Sequence, residues 1–516
     1  MPSVIKFILA IITFVLFVFC VIWFPIPSIA TLLAIVICVG IYDINQKRHT
    51  ILRNFPIIGH FRYLLEGIAP EIHQYFIESG TDGKPLNRNQ RSYIYSRAKK
   101  QNTTHPFGTE IDLQKDNESW MRHSIYPTKK LTEQPRVLIG GKDCKQPYSA
   151  SLLNVSAMSY GSLSKNAVSA LNIGAREGKF YHNTGEGSIS DFHLHGADIV
   201  YQLGTGYFGS RAADGNFSPE KFVSQANRPE VKMIEIKLSQ GAKPGHGGVL
   251  PAAKNSEEIA RIRGVEPHTT IESPSGHRAF GDAKGLLLFV KQLRDLSNGK
   301  PIGFKLCIGN KEEFVDICQQ MIETNIYPDF ITIDGAEGGT GAAPIDFSDH
   351  VGMPWENGLV FAVDTLRQFG LKDDIKVITS TKIITGFNIF KALCMGADLC
   401  NSARGMMISL GCIQALQCHT NKCPTGVATN KPGKVRGLVV EDKWKRVRNY
   451  HDATIHDFME LFAASGCPET SQLNRSYIYK QINNREVSFE DLHPTKRAFN
   501  CNVTFEEAET QKPASV

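Results

Sequence analysis

From about residue 150 onward, short apolar runs rich in β-branched residues alternate with Gly-rich loops and with stretches of helical period. Residues 233–238, 302–308, 330–333, 375–378 and 397–400 are the clearest runs, and each predicts a buried strand. Residues 312–324 and 386–395 predict helices between them. Strand, loop and helix recurring in this order predict a parallel sheet. Over about 280 residues the recurrence fits a (β/α)8 TIM barrel. A doubly wound open sheet is the alternative, but no G-x-G-x-x-G opens a helix after a first strand.

The first 42 residues follow a different pattern. Residues 7–24 and 29–42 carry no charged side chain, and Pro25-Ile26-Pro27-Ser28 separates them. Two such runs predict a transmembrane helical hairpin over 1–45 and a membrane localisation. Lys6 before the first run, and Lys47, Arg48 and Arg53 after the second, place both ends and the catalytic domain on the cytoplasmic side. A cleaved signal peptide competes, but no A-x-A site follows and a second apolar run does. Residues 46–145 are polar and Arg-rich and predict a segment packing on the barrel. The barrel itself is expected over 146–435. The tail, 436–516, holds a basic stretch at 441–450 and an amphipathic one at 455–464, and predicts a helical extension.

Composition narrows the function classes. With 42% hydrophobic and 21% charged residues, the chain is an ordinary globular one, not a disordered or disulfide-framed one. Its net charge of +6 is spread without a basic block, so no nucleic-acid partner is expected.

Four motifs carry chemistry. Cys412, Cys418 and Cys423 are spaced C-x5-C-x4-C and followed by Pro424. Thiolates this close repel unless a metal centre neutralises them, and soft sulfur selects iron–sulfur clusters or zinc. Zinc with His419 as a fourth ligand, or free buried thiols, are the other readings. Asp334 to Pro344 is a Gly-rich loop at a strand end, where barrel enzymes place function. Glu235 to Gly248 puts Lys237, Gln240 and Lys243 at the end of a strand and in the loop after it. Ser380-Thr381-Lys382 with Gly386, and Asn401 to Gly405 with Arg404, occupy the last two strand–loop units, where barrels bind phosphate. Weaker pieces are Ser159-Tyr160-Gly161-Ser162, Asn183 to Gly187 with Glu186, and Ser273 to His277.

Taken together, these blocks resemble the FMN-binding synthase domain of the glutamate synthases. The likeness rests on AMSYGSLS (157–164), NTGEGS (183–188), EIKLSQGAKPGHGG (235–248), IDGAEGGTGAAP (333–344) and GCIQALQCHTNKCPTGVAT (411–429). It runs in order from about residue 70 to 495. It implies a barrel holding FMN, with a [3Fe–4S] cluster on Cys412, Cys418 and Cys423. It implies that Ser159, Gly161, Lys305, Gly338, Gly339, Gly341, Gly386, Arg404 and Gly405 hold FMN. It implies that Glu186, Lys237, Gln240 and Lys243 face the substrate. Three departures stand out: the segment carrying a glutaminase nucleophile is not seen, an apolar N-terminus is present, and His246 stands where the large enzymes usually carry Glu.

The expected reaction is reduction of 2-iminoglutarate, from 2-oxoglutarate and ammonia, to L-glutamate. The electron donor is left open among ferredoxin, an NAD(P)H-linked subunit and a membrane donor. The same cofactors acting on another 2-oxo acid or with a quinone-linked donor, and a non-catalytic membrane redox scaffold, are the rival readings.

Overall fold

The computed structural model describes residues 11–496 apart from 13, 20, 21, 23–26, 102, 103 and 105, and says nothing of the side chains of 27 and 28. Two compact units result, residues 1–89 and 90–516.

In the first unit the second apolar run lies in the helix Pro27–Asn45, followed by the helices Thr50–Asn54 and Gly59–Ile72. Asp43 in its last turn is fully buried, accepts a hydrogen bond from the Ile57 amide at 2.9 Å and lies 2.9 Å from His60 Nε2. No helix among the described residues is long and apolar enough to cross a membrane, so the hairpin expected over 1–45 finds no support there. The first arm, 7–24, lies partly outside the described residues.

The second unit is the barrel. Its strands are β1 (Leu153–Val155), β2 (His182–Asn183), β3 (Ile199–Leu203), β4 (Val231–Lys237), β5 (Ile302–Cys307), β6 (Phe330–Asp334), β7 (Lys376–Ser380) and β8 (Leu399–Ser402). Each pairs in parallel with the next, and β8 pairs with β1 to close the ring. A one-face alternation runs up several strands: Met233–Glu235–Lys237 in β4, Phe330–Thr332–Asp334 in β6, Ile378–Ser380 in β7, Leu399–Asn401 in β8. Side chains two apart share a face, so one lining changes from apolar to polar to charged as it climbs. The apolar floor packs on Ile139, Tyr148 and Ala150 of the hairpin Arg136–Ile139/Tyr148–Ser151. The hairpin thus plugs the N-terminal end, and the charged end is left at the C-terminal mouth. Between floor and mouth, Glu235 accepts from Asn183 (2.8 Å), Gln202 (2.6 Å) and Thr332 (2.6 Å), which satisfies a buried carboxylate.

Two features set the mouth. Residues 238–282 leave β4 as a long excursion containing the ribbon Val249–Leu250/Ile271–Glu272 and the helix Glu257–Arg263. The tail contains one continuous helix, Val440–Ser465, where two stretches were expected. Between those stretches His451 and Thr454 are buried. His451 stacks on Phe180 with ring centroids 4.0 Å apart and contacts the Ser151 hydroxyl at 3.0 Å. No helix breaker separates the halves.

Candidate active site

The mouth is organised around two buried ion pairs. Lys305 on β5 lies 3.1 Å from Asp334 on β6. Asp334 also accepts from the Gly241 amide (3.0 Å), the Ser380 hydroxyl (3.0 Å) and the Thr381 hydroxyl (2.8 Å). Burial opposes both charges, but the pair prevails, holding Lys305 above its ordinary range and Asp334 below. Thr381 (φ +127°) and Lys382 (φ +49°) follow β7 directly. Such backbone is costly for a β-branched residue. The Thr381 hydroxyl compensates by binding Asp334 and accepting from the Gly335 amide at 2.8 Å.

The second pair is Lys237 on β4 with Glu186, at 2.9 Å. Glu186 rides the 3-10 turn Gly185–Gly187 that follows β2. Its carboxylate is tightly walled: a Cβ at Gly248 would lie 2.1 Å from Oε1, and one at Gly204 2.7 Å from Oε2. Burial pushes Glu186 up, yet Lys237, with Arg263 and Lys243 behind it, holds it below the usual carboxylate range. Lys243 is 3% exposed and donates to the Ala342 carbonyl at 2.7 Å. Burial and the neighbouring Lys237 lower it to about 8. Arg263 donates to the Tyr160 carbonyl at 3.0 Å, lies over the Phe208 ring at 5.1 Å, and is lowered by burial to about 10.

The structure therefore gathers Glu186, Lys237 and Lys243 into one group. Gln240 is half-buried on the same loop, its carbonyl accepting from the Lys243 amide at 3.3 Å. The Ser159 and Ser162 hydroxyls meet at 3.0 Å in a turn that Gly161 allows with φ +99°. Gly338 packs on Gly241, bringing the loops after β4 and β6 into backbone contact. Gly339 lies under the Arg404 side chain, whose guanidinium donates to the Glu337 carbonyl, and Gly341 faces open space. Gly386 and Gly405 open helices whose close neighbours are on the tail helix: a Cβ at Gly386 would lie 2.5 Å from the Phe458 nitrogen, and one at Gly405 2.5 Å from the Tyr450 hydroxyl.

Cys412, Cys418 and Cys423 follow the helix Arg404–Ser409. Burial, then the other two cysteines, push Cys412 up to about 12. Cys418 is raised for the same reasons. Cys423 is lowered: burial opposes the thiolate, but the Thr425 hydroxyl and the amides of 425, 427 and 428 outweigh it. Two buried thiols and a third whose thiolate is favoured by a nest of N–H donors suit a polynuclear thiolate centre. Zinc fits less well. Bonds of about 2.3 Å to one tetrahedral ion would draw three sulfurs to about 3.8 Å of each other. Yet among the described residues only His456, Asp457 and Glu460 offer ligand atoms all within 4.8 Å. His419, the fourth zinc ligand considered, is exposed.

The conserved region in glutamate synthase matches residues 95–468. The chain belongs to the glutamate synthase family. It is 36% identical over 512 residues to the glutamate synthase large subunit-like protein YerD of Bacillus subtilis, covering 91% of this chain and 97% of that one. It is 33% identical to the archaeal glutamate synthase [NADPH] of Methanocaldococcus jannaschii, over 60% of this chain and 58% of that one. It is 32% identical to ferredoxin-dependent glutamate synthase 2 of Synechocystis, over 53% of this chain and 18% of that one. The protein is an oxidoreductase of the glutamate synthase type.

Within this synthase, two buried cations escaped the sequence motifs. Arg263 lies four residues after the buried Ile259, on the same face of its helix, and that spacing was the available signal. Lys254 ends the 3-10 turn Ala252–Lys254 and has no comparable cue. Burial lowers it to about 8, while Cys418 and Cys423 pull the other way. The His456–Asp457–Glu460 group offers no free metal site, because Lys130 already lies 2.7 Å from His456 Nε2 and 3.0 Å from Glu460.

Proposed function

We propose that this synthase holds FMN at the barrel mouth and a [3Fe–4S] cluster on Cys412, Cys418 and Cys423, and reduces 2-iminoglutarate, formed from 2-oxoglutarate and ammonia, to L-glutamate. The observation that carries the substrate is the charge of the second group. Lys237, Lys243 and Arg263 against the single Glu186 leave two positive charges, the complement of a dicarboxylate.

The residues divide the work by position. Lys243 and Arg263 hold carboxylates, Arg263 by its fixed planar fork. Lys237 is held in place by its 2.9 Å contact with Glu186, within the same group. Gln240 borders the substrate from the loop. Ser159, Gly161, Lys305, the Gly338–Gly341 stretch and Arg404 border the flavin, with Lys305 and Arg404 as the cations near its anionic parts. Gly386 and Gly405 act through their helices, by letting them approach the tail. When bound, FMN supplies two-electron chemistry and the cluster supplies it with electrons. Relatives named for NADPH and for ferredoxin support an external donor of one of those kinds.

Purified protein is expected to absorb near 450 nm, to contain about three irons per chain, and to make L-glutamate from 2-oxoglutarate and ammonium with a reduced low-potential donor. Cys418→Ser should lose the iron while keeping the flavin. Colourless, iron-free but folded protein would overturn the reading. Turnover of a monocarboxylic 2-oxo acid in preference to 2-oxoglutarate would overturn the substrate.

A further inference from the structure

Three loops that the reaction must keep in register meet at Lys254. Its Nζ donates to the Ser162 carbonyl (2.5 Å), the Cys418 carbonyl (3.2 Å) and the Ala428 carbonyl (3.3 Å). Ser162 closes the turn beside Ser159 and Gly161. Cys418 and Ala428 lie on the cysteine loop. Lys254 itself belongs to the excursion that carries Gln240, Lys243 and Arg263. It is 3% exposed, and its three partners are all acceptors, the environment of an ammonium with three N–H donors rather than of a neutral amine.

Two asparagines complete the junction. Asn421 donates from Nδ2 to the Ala253 carbonyl at 2.6 Å, and its Oδ1 accepts from the Asn430 amide at 2.8 Å. Asn430 donates from Nδ2 to the Lys254 carbonyl (2.9 Å) and the Gly161 carbonyl (3.3 Å). The cysteine loop is thus bonded on one side to the turn next to the flavin and on the other to the substrate excursion. Lys254 lies within electrostatic reach of Cys418 and Cys423, with the buried Arg263 on the far side of the same turn.

We propose that Lys254 is a positioning residue for electron transfer: it fixes the cysteine loop against the flavin turn and, as a buried positive charge, raises the cluster's reduction potential. The inference rests on the cluster reading above. Each electron leaving the cluster arrives on the flavin, and no bond or proton changes at Lys254. A fixed positive charge favours the more negative, reduced cluster, so its removal lowers the potential.

The test compares full-length wild type, Lys254→Met and Lys254→Arg. Each is assayed for FMN and iron content, for the midpoint potential of the cluster by EPR-monitored titration, and for the stopped-flow rate of electron arrival at the flavin. Lys254→Met should keep FMN, show a more negative cluster potential and slow electron arrival at least tenfold. Lys254→Arg, which keeps the charge, should stay near the wild-type potential. Lys254→Met retaining FMN but losing iron would also support the anchoring role. An unchanged potential and rate in Lys254→Met with full iron would overturn the proposal, as would equal shifts in Met and Arg. If Lys254→Met does not fold, Lys254→Gln with the same readouts takes its place. Iron-free wild type would instead overturn the cluster reading, so the two failures are distinct.

Discussion

Lys243 shows how the site turns burial into selectivity. It has lost most of its water, its only recorded partner is a neutral carbonyl, and Lys237 crowds it, so its charge is poorly compensated until an anion arrives. The group is an ammonium below about pH 8 and an amine above it. The KM for 2-oxoglutarate should therefore rise as pH passes 8, with kcat at saturation changing less. In Lys243→Arg the guanidinium stays charged, so that rise should disappear. Lys243→Met should weaken 2-oxoglutarate binding by about 2 kcal/mol, roughly thirtyfold, the usual size for one hydrogen bond to a charged group. Equal affinity in the Met variant, measured by flavin-absorbance titration, would remove Lys243 from the site. Lys237, Lys243 and Glu186 drew notice in the sequence because Lys237 ends a predicted strand and the other two lie in Gly-rich segments. Arg263 left only the spacing from Ile259 as a signal, and Lys254 left none, because a lone basic residue reads as solvated whether or not the chain later covers it.

Between elements, the tail helix Val440–Ser465 is the main brace of the barrel wall. It crosses the helix Lys165–Gly178 at Gly174, where a Cβ would lie 2.8 Å from the Val447 Cβ and 3.0 Å from the Trp444 carbonyl. In an open helix Gly→Ala stabilises by about 0.5–1 kcal/mol. Here Gly174→Ala should instead destabilise by about 1–3 kcal/mol, because the backbone of the facing helix cannot give way as a side chain could. A melting temperature raised by this substitution would show that the two helices are not in fixed contact. The same element marks the limit of legibility. Strands β4 to β8 announce themselves as apolar runs with loops of recognisable chemistry. The strands β1 and β2 are three and two residues long. At that length no periodicity exists, and the ring closes only because neighbours on both sides supply the pairing. In the apolar N-terminal run, hydropathy reports transfer from water but not the polar contact that the last turn of the helix makes. Asp43 is paired inside its own unit.

Over the whole molecule, buried histidines set the acid limit of stability. His182 and His193 are fully buried with ring centroids 5.2 Å apart, and both ring nitrogens of His182 and Nε2 of His193 lack a hydrogen-bond partner among the described residues. Burial lowers His182 to about 3, and burial, with the His182 ring beside it, holds His193 well below its ordinary range. His277, under Lys237, falls to about 4, and His451 is lowered by burial on the inner face of the tail helix. In the unfolded chain each would protonate near 6.5. The native pKa is the lower one, so between these values the unfolded state binds more protons, and stability is lost as pH falls below 6.5. The carboxylates paired at the mouth act later: Glu186 and Asp334 are depressed, so their contribution is lost only below the unfolded carboxylate values near 4. The interval from pH 6.5 to 5 therefore isolates the histidines. The unfolded imidazole is already half protonated at pH 6.5, so each of His182 and His193 costs about 1.6 kcal/mol across it and the two together remove about 3 kcal/mol. Urea unfolding at pH 6.5 and 5.0, followed by intrinsic fluorescence, reads this directly. His182→Leu should make the pH dependence shallower, because a side chain that cannot protonate gives the unfolded state no advantage. A variant as acid-sensitive as wild type would mean that the pair is already protonated in the native protein. The field of the barrel would then have to stabilise a charge at a place where the structure provides it no partner.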